Sequence, residues 1–298
     1  MTNDRPFFGM ILMLGFCILA PAGDAVAKLL GDTVPLGVLL FTRFILQVLL
    51  LAPLVFLNRQ KSGFAPGIFP LVLIRTLLHI FGIGAMFLSL RYLPLADAVA
   101  IAFIMPLIML LLGKTFLNET VGFHRLVACA AGFLGTLLVI QPNFADVGAP
   151  AMLPLFVAVD FALFMLVTRK IAKNIDPIFL QFSSGIMACG ILLAMLILFQ
   201  GDWPITGEVL PSSADFGLLF LLGALGTIAH LLMTWSLRFA PAATLAPMQY
   251  LEIPVATFVG WMVFHDLPNG LAALGIAITI AAGLYIIWRE RFIAQQAR

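Results

Sequence analysis

Residues Leu88–Glu119 read LSLRYLPLADAVAIAFIMPLIMLLLGKTFLNE, and 147 positions later Trp235–Asp266 read WSLRFAPAATLAPMQYLEIPVATFVGWMVFHD, aligned without a gap. Ser89, Leu90, Arg91, Pro94, Ala96 and Gly113 meet Ser236, Leu237, Arg238, Pro241, Ala243 and Gly260, and Glu119 meets Asp266. The register continues into the next apolar span. There Ala128, Gly132 and Gly135 fall on Gly275, Thr279 and Ala282, small residues at i, i+4 and i+7 in both copies. An offset near half of the 298 residues is the mark of a duplicated unit.

Composition places that unit in a membrane. The chain is 62% hydrophobic and 10% charged, with a mean hydropathy of +1.12. A soluble domain carries about 25% charged residues. A net charge of +2 implies no nucleic-acid partner. Cys17, Cys129 and Cys189 lie inside apolar runs with no C-x-x-C pair and no histidine at ligand spacing, so they read as small packing residues. Nothing in the sequence calls for a cofactor. Ala20-Pro21-Ala22 imitates a signal-peptidase site, but cleavage there would leave one repeat short of a helix.

A membrane span needs about 20 apolar residues. Ten such runs are expected: 7–29, 36–57, 68–90, 95–113, 122–140, 151–171, 177–199, 214–237, 241–264 and 268–288. The fold class is therefore all-α and integral to the membrane. Residues 1–142 form the first five-helix repeat and 143–298 the second, in one integrated unit. Basic residues stay on the cytoplasmic side. With both termini inside, that side holds Arg5, Arg59, Lys61, Lys114, Arg125, Arg169, Lys170, Lys173, Arg238, Arg289, Arg291 and Arg298. The outer side holds Lys28 and Arg91, a ratio of twelve to two. An odd number of helices per repeat makes the second copy cross upside down. Inverted repeats around a midplane site are typical of secondary transporters, which alternate access.

The run Ala96–Pro142, with Pro106 in the middle of the fourth helix, Glu119 at its end and Gly132 and Gly135 in the fifth, resembles the drug/metabolite transporter superfamily in its EamA branch. The second copy matches with Pro254 one position out of register and Asp266 in place of Glu. The resemblance extends over the whole chain. It implies ten helices with inside termini, a central cavity, and transport of small organic metabolites across a bacterial inner membrane. Arg43 in LFTRF, Arg75 in LIRTLLHIFG and the APMQYLE run look most like the S-adenosylmethionine and riboflavin uptake carriers of that branch.

Ionisable groups inside spans mark function, because a charge at the bilayer centre costs about 2.5–3.5 kcal/mol on insertion scales. Asp24 and Lys28 are i, i+4 neighbours that either pair near the outer surface or face a cavity. Arg43 is near enough to the outer interface to snorkel, and is either a packing or topological residue or a secondary ligand contact. Arg75 and His79 lie one turn apart on the third helix. Arg75 stays protonated and needs a wet cavity or an anion: Asp160, Glu252 or a substrate group. His79 and His230 are either hydrogen-bonded interior histidines or titrating groups of a proton-coupled cycle. Gln249, Tyr250 and Glu252 lie between Pro247 and Pro254, and the carbonyls that proline frees are tolerated at this depth only beside protein or a cavity. Glu252 is the leading site residue. Its repeat counterpart is Met105, so the acidic wall is expected on the second half. Phe81, Phe87, Phe103, Trp235 and Tyr250 are the aromatics that could stack on a flat ligand, Tyr250 and Trp235 foremost. Asp97 suits a helix N-terminus.

The small-residue stripes of the fifth and tenth helices suit close packing, with each other or across a homodimer. An integral-membrane transferase would need a nucleophile with an orienting base, or a metal motif. Neither is present, and the loops are too short to build one. A channel would need a continuous polar lining. The expected function is therefore a carrier for a small amphipathic, charged metabolite, held by Glu252, Tyr250 and Gln249 on one wall and Arg75 and His79 on the other.

Overall fold

The computed structural model describes residues 5–57, 64, 66–140, 149–198, 213–265 and 270–296. Asp266, Arg59, Lys61, Arg298 and the boundary at 142/143 lie outside them. Helices α1 (Pro6–Leu30), α2 (Leu36–Leu57) and α3 (Phe69–Ser89) are followed by α4 (Leu95–Ala102) and α5 (Met105–Phe116), then α6 (Phe123–Ile140). The rest comprises α7 (Met152–Ala172), α8 (Pro177–Leu198), α9 (Ser213–Phe239), α10 (Ala242–Leu245), a 3-10 segment (Ala246–Leu251), α11 (Glu252–Phe264) and α12 (Gly270–Gln296). Among the described residues, eight helices are long and apolar enough to cross a membrane, counting Leu95–Phe116 as one, and Phe123–Val139 is a shorter apolar helix. This is a multi-pass membrane protein. Large apolar side chains such as Phe56, Leu111, Phe123 and Leu198 lie exposed on its outside, where a bilayer would cover them.

Two expected spans are not continuous helices. The fourth breaks at Phe103–Ile104, so Pro106 lies in the first turn of α5 rather than mid-helix. There its missing N–H costs nothing. The ninth, 241–264, runs as α10, the 3-10 segment and α11, with Pro247 in the first turn of the 3-10 segment. The two breaks are counterparts: α5 starts at Met105 and α11 at Glu252, 147 residues apart. The helices also end alike. Asn118 and His265, again 147 apart, are the described non-glycine residues with positive φ, at 52° and 60°. A residue in that left-handed conformation closes a helix C-terminus. Arg91 and Arg238 are counterparts too. Arg91 donates to Val34 O at 3.0 Å and Arg238 to Ile175 O at 3.3 Å, carbonyls in the α1–α2 and α7–α8 connections.

The most extensive helix pairs are α1 with α9, α6 with α12, α2 with α8, and α3 with α7. Replacing every helix by its counterpart in the other half returns the same set. The pairs α1–α9 and α3–α7 run antiparallel: Gly9 faces Ser236 and Ala240, Gly15 faces Leu232, and Gly23 faces Leu225; Arg75 meets Thr168, and Gly82 meets Asp160. On α6 and α12 the small-residue stripes meet each other, and a Cβ on Gly135 or Gly275 would run into the other's backbone carbonyl. The stripes are thus occupied within the chain. A second copy would have to use the outer faces of these helices.

Candidate substrate cavity

The α4–α5 and α10–α11 breaks meet at a cavity of about 90 Å³. Phe16, Ala20 and Asp24 of α1 line it, with Gly82, Ile83, Met86 and Phe87 of α3 and Val99, Ala102, Phe103 and Met105 around the first break. The other half contributes Val157 and Phe161 of α7, His230 of α9 and Glu252, the first residue of α11. Glu252 and its counterpart Met105 therefore face one hollow. The walls are aromatic: Phe16 stacks on Phe161 with centroids 5.9 Å apart, and Phe103 lies 5.6 Å from Tyr250.

Two carboxylates face this apolar space. Among the described residues neither Asp24 nor Glu252 has a basic partner within ion-pair distance. Glu252 is 8% exposed. The acidic wall thus comes from both halves, because α1 brings Asp24 to it. Lys28, one turn further on, donates to Leu93 O at 2.6 Å. Asp160 is buried against Gly82, where a Cβ would strike its Oδ2, and that oxygen has no hydrogen-bond partner.

The basic residues form a separate tier. Arg75, expected to need a wet cavity or an anion, is wrapped by neutral acceptors. Its Nε donates to Thr168 Oγ1 at 2.9 Å, Nη1 to Ser184 Oγ at 2.9 Å, and Nη2 to Gln181 Oε1 at 3.1 Å and Thr234 Oγ1 at 3.4 Å. Its guanidinium lies 4.6 Å from the Phe164 ring centroid. Neither Asp160 nor Glu252 reaches it. Arg43 does not snorkel: it is 2% exposed, donating to Gln47 Oε1 at 2.9 Å and to His230 Nδ1 at 3.2 Å. His79 lies between the arginines, its ring 4.5 Å from His230 and 4.7 Å from Phe164.

The polar cluster of the ninth span is divided. Gln249 turns to α7, with Nε2 2.8 Å from Met165 Sδ. Tyr250 is fully buried, its ring filling the space that Gly132 of α6 leaves, and its hydroxyl has no partner. Trp235 is half-buried on α9 and outside the cavity lining. Of the expected wall, Glu252 alone faces the hollow.

At one end of the bundle Glu119 bridges the two halves. Its carboxylate accepts from Ala242 N at 3.1 Å and Ala243 N at 2.8 Å, capping α10, and pairs with Arg169 Nε at 3.3 Å. Arg169 also donates to Leu237 O at 2.7 Å. The acidic residue at the end of the fourth span thus ties the first half to the second. Asp24, Met86, Phe87, Val99 and Val157 come from the opposite portions of their helices.

The sequence pattern of the EamA-like transporter family matches this chain twice, over residues 7–141 and 149–289. This chain belongs to the EamA-like transporter family. It is a transporter rather than an enzyme. The chain is similar to the S-adenosylmethionine uptake transporter of Rickettsia felis, 26% identical over 92% of this chain and 90% of that protein. It is also similar to the riboflavin transporter of Rhizobium johnstonii, 29% identical over 73% of this chain and 70% of that one. A solved crystal structure shares the fold with a TM-score of 0.70 at 16% identity, over 93% of this chain and 94% of that one.

For this EamA-like chain, Phe87, one of the aromatics expected from sequence, lines the cavity, whereas Phe16, Met86 and Phe161 are lining residues that sequence reasoning passed over. Their signal is drowned by 27 phenylalanines, most of them facing lipid or neighbouring helices.

Proposed function

We propose that this chain is a secondary carrier that takes up a small organic metabolite bearing a positive charge beside a flat ring, with S-adenosylmethionine as the first candidate. Ten spans form two inverted five-helix repeats, 1–142 and 143–298, in the cytoplasmic membrane with both termini inside. The observation that carries the substrate reading is the pair Asp24 and Glu252, unpartnered in an aromatic cavity at two counterpart helix breaks. Leaving a carboxylate unpaired in such surroundings costs several kcal/mol, and a cationic substrate offsets that cost. Phe16, Phe103 and Phe161 supply flat faces for a ring and for the cation itself. Riboflavin is uncharged and would leave both carboxylates unanswered.

With inside termini, the cavity lies in the outer half of the membrane. The Arg75 cluster and the Glu119–Arg169 tie then lie toward the cytoplasm, so this conformer is closed on that side. The cavity is narrower than the roughly 300–1,000 Å³ of metabolite pockets. Substrate entry therefore requires the walls to part, as alternating access demands. Counterflow in proteoliposomes tests the reading. Labelled S-adenosylmethionine should enter saturably and faster against internal unlabelled S-adenosylmethionine. Absence of that acceleration, with riboflavin exchanging in its place, would sink it.

A further inference from the structure

The cavity has a second polar pole that the carboxylates do not explain. His230 lines it, and Arg43 stands directly behind the ring. A guanidinium carries donors and no acceptor, so the 3.2 Å contact from Arg43 Nη2 requires a lone pair on His230 Nδ1. Gly226 O lies 3.1 Å from the same nitrogen and would suit the opposite tautomer. The charged donor makes the stronger bond and decides the matter. The ring proton is then on Nε2. That atom is buried and has no hydrogen-bond partner, and a buried N–H left unmade is an unfavourable arrangement.

Arg43 is built into this position. Gln47 accepts from its Nη1 at 2.9 Å and is itself fixed by donating to Gln181 O at 2.6 Å. Gly226 makes room for the guanidinium, which a Cβ there would strike. No carboxylate among the described residues pairs with Arg43. A buried cation therefore polarises a histidine that lines the cavity and whose ring N–H has no partner among the described residues. The neighbouring His79 ring also has both nitrogens unpartnered, so the tier has donor capacity to spare. A positive centre with unused donors is the arrangement that receives an oxyanion.

We propose that His230, backed by Arg43, is the anion subsite of the cavity and takes the carboxylate of a substrate whose cationic group lies against Asp24 and Glu252. The substrate is then a zwitterion, and the two poles fix which way round it lies. This rests on the cationic-substrate reading above. Only an amphoteric ligand satisfies both poles at once, whereas a simple organic cation leaves His230 Nε2–H and Arg43 unanswered.

The test compares S-adenosylmethionine with its decarboxylated analogue, which keeps the ring and sulfonium and lacks the carboxylate. Equilibrium binding is measured on purified wild-type protein and on His230→Leu and His230→Asn. Wild type should bind S-adenosylmethionine at least tenfold more tightly than the analogue. His230→Leu should abolish that preference by weakening S-adenosylmethionine while leaving the analogue unchanged, and His230→Asn, which restores an N–H, should recover part of it. Equal wild-type affinity for the two ligands overturns the subsite while sparing the cationic reading. Equal losses for both ligands in His230→Leu do the same. Binding of riboflavin with neither sulfonium ligand overturns the parent reading and the subsite with it. Replacing chloride by gluconate separates a free inorganic anion from the substrate's carboxylate, and a preference that follows chloride overturns the proposal. Should His230→Leu fail to fold, the wild-type comparison decides alone.

Discussion

Arg75 and Glu252 are both buried charges in the interior of one bundle, and their surroundings are opposite. Arg75 is fully enclosed, with four side-chain acceptors and an aromatic face around its guanidinium. Glu252 faces a hollow with no basic partner among the described residues. A charge four of whose five donors are taken by its own protein has little to offer a ligand and holds helices together. Arg75 on α3 joins α7, α8 and α9 in this way. A charge left unanswered beside a void is stabilised when something else arrives. Burial alone therefore does not mark a binding residue; unsatisfied burial does.

The sharpest way to break this contrast is Arg75→Ala. It strands Thr168, Gln181, Ser184 and Thr234 and opens a void, so a loss of about 3–5 kcal/mol is expected, on the order of 10 °C in melting temperature. Unchanged melting of the purified variant in detergent would refute the structural role. Glu252→Gln should act the other way round. Its melting temperature should hold or rise, because an unpaired buried charge is removed. Its uptake of S-adenosylmethionine in proteoliposomes should fall about 10- to 100-fold, the worth of a charge-assisted contact. Normal uptake would remove Glu252 from the site.

Glu119→Gln probes a carboxylate that resembles Arg75 in being satisfied. It loses the ion pair to Arg169 and half of a two-point cap on α10. The expected cost is about 1–2 kcal/mol, a few degrees of melting, with substrate affinity intact. Tyr250→Phe is the smallest expected change. Its hydroxyl has no partner and its ring is packing against Gly132, so stability should shift by less than about 0.5 kcal/mol. A large loss of transport in Tyr250→Phe would show that the hydroxyl reaches substrate in another conformer.

The duplicated stretch carried most of the architecture. Its register pairs Met105 with Glu252 and Arg91 with Arg238; α5 and α11 start at the first pair, and each arginine of the second donates to an interhelical carbonyl. Composition placed the chain in a membrane because no soluble fold offers cover for this much apolar surface. What the sequence could not convey was which residues meet across 90 or more positions. Arg75 looked as though it required a wet cavity or an anion, since a single sequence does not reveal that Thr168, Gln181, Ser184 and Thr234 converge on it. Arg43 looked close to the interface by its place in the second helix, yet the space left at Gly226 draws it inward to His230. Gln249 and Tyr250 appeared to belong with Glu252, but Met165 and Gly132, on two other helices, turn them aside. Asp24 seemed suited to Lys28 by spacing alone, until the position of α1 brought it to the cavity.

The meeting of α6 and α12 at Gly135 and Gly275 has a mechanical corollary. The backbones approach so closely there that each glycine's missing Cβ is space the other helix fills, with Val139, Ile278 and Thr279 packed around the contact. Such a seam fixes how near two rods can lie. A single methyl at either glycine would wedge them apart, so the spacing along this edge is set by main chain rather than by side-chain bulk.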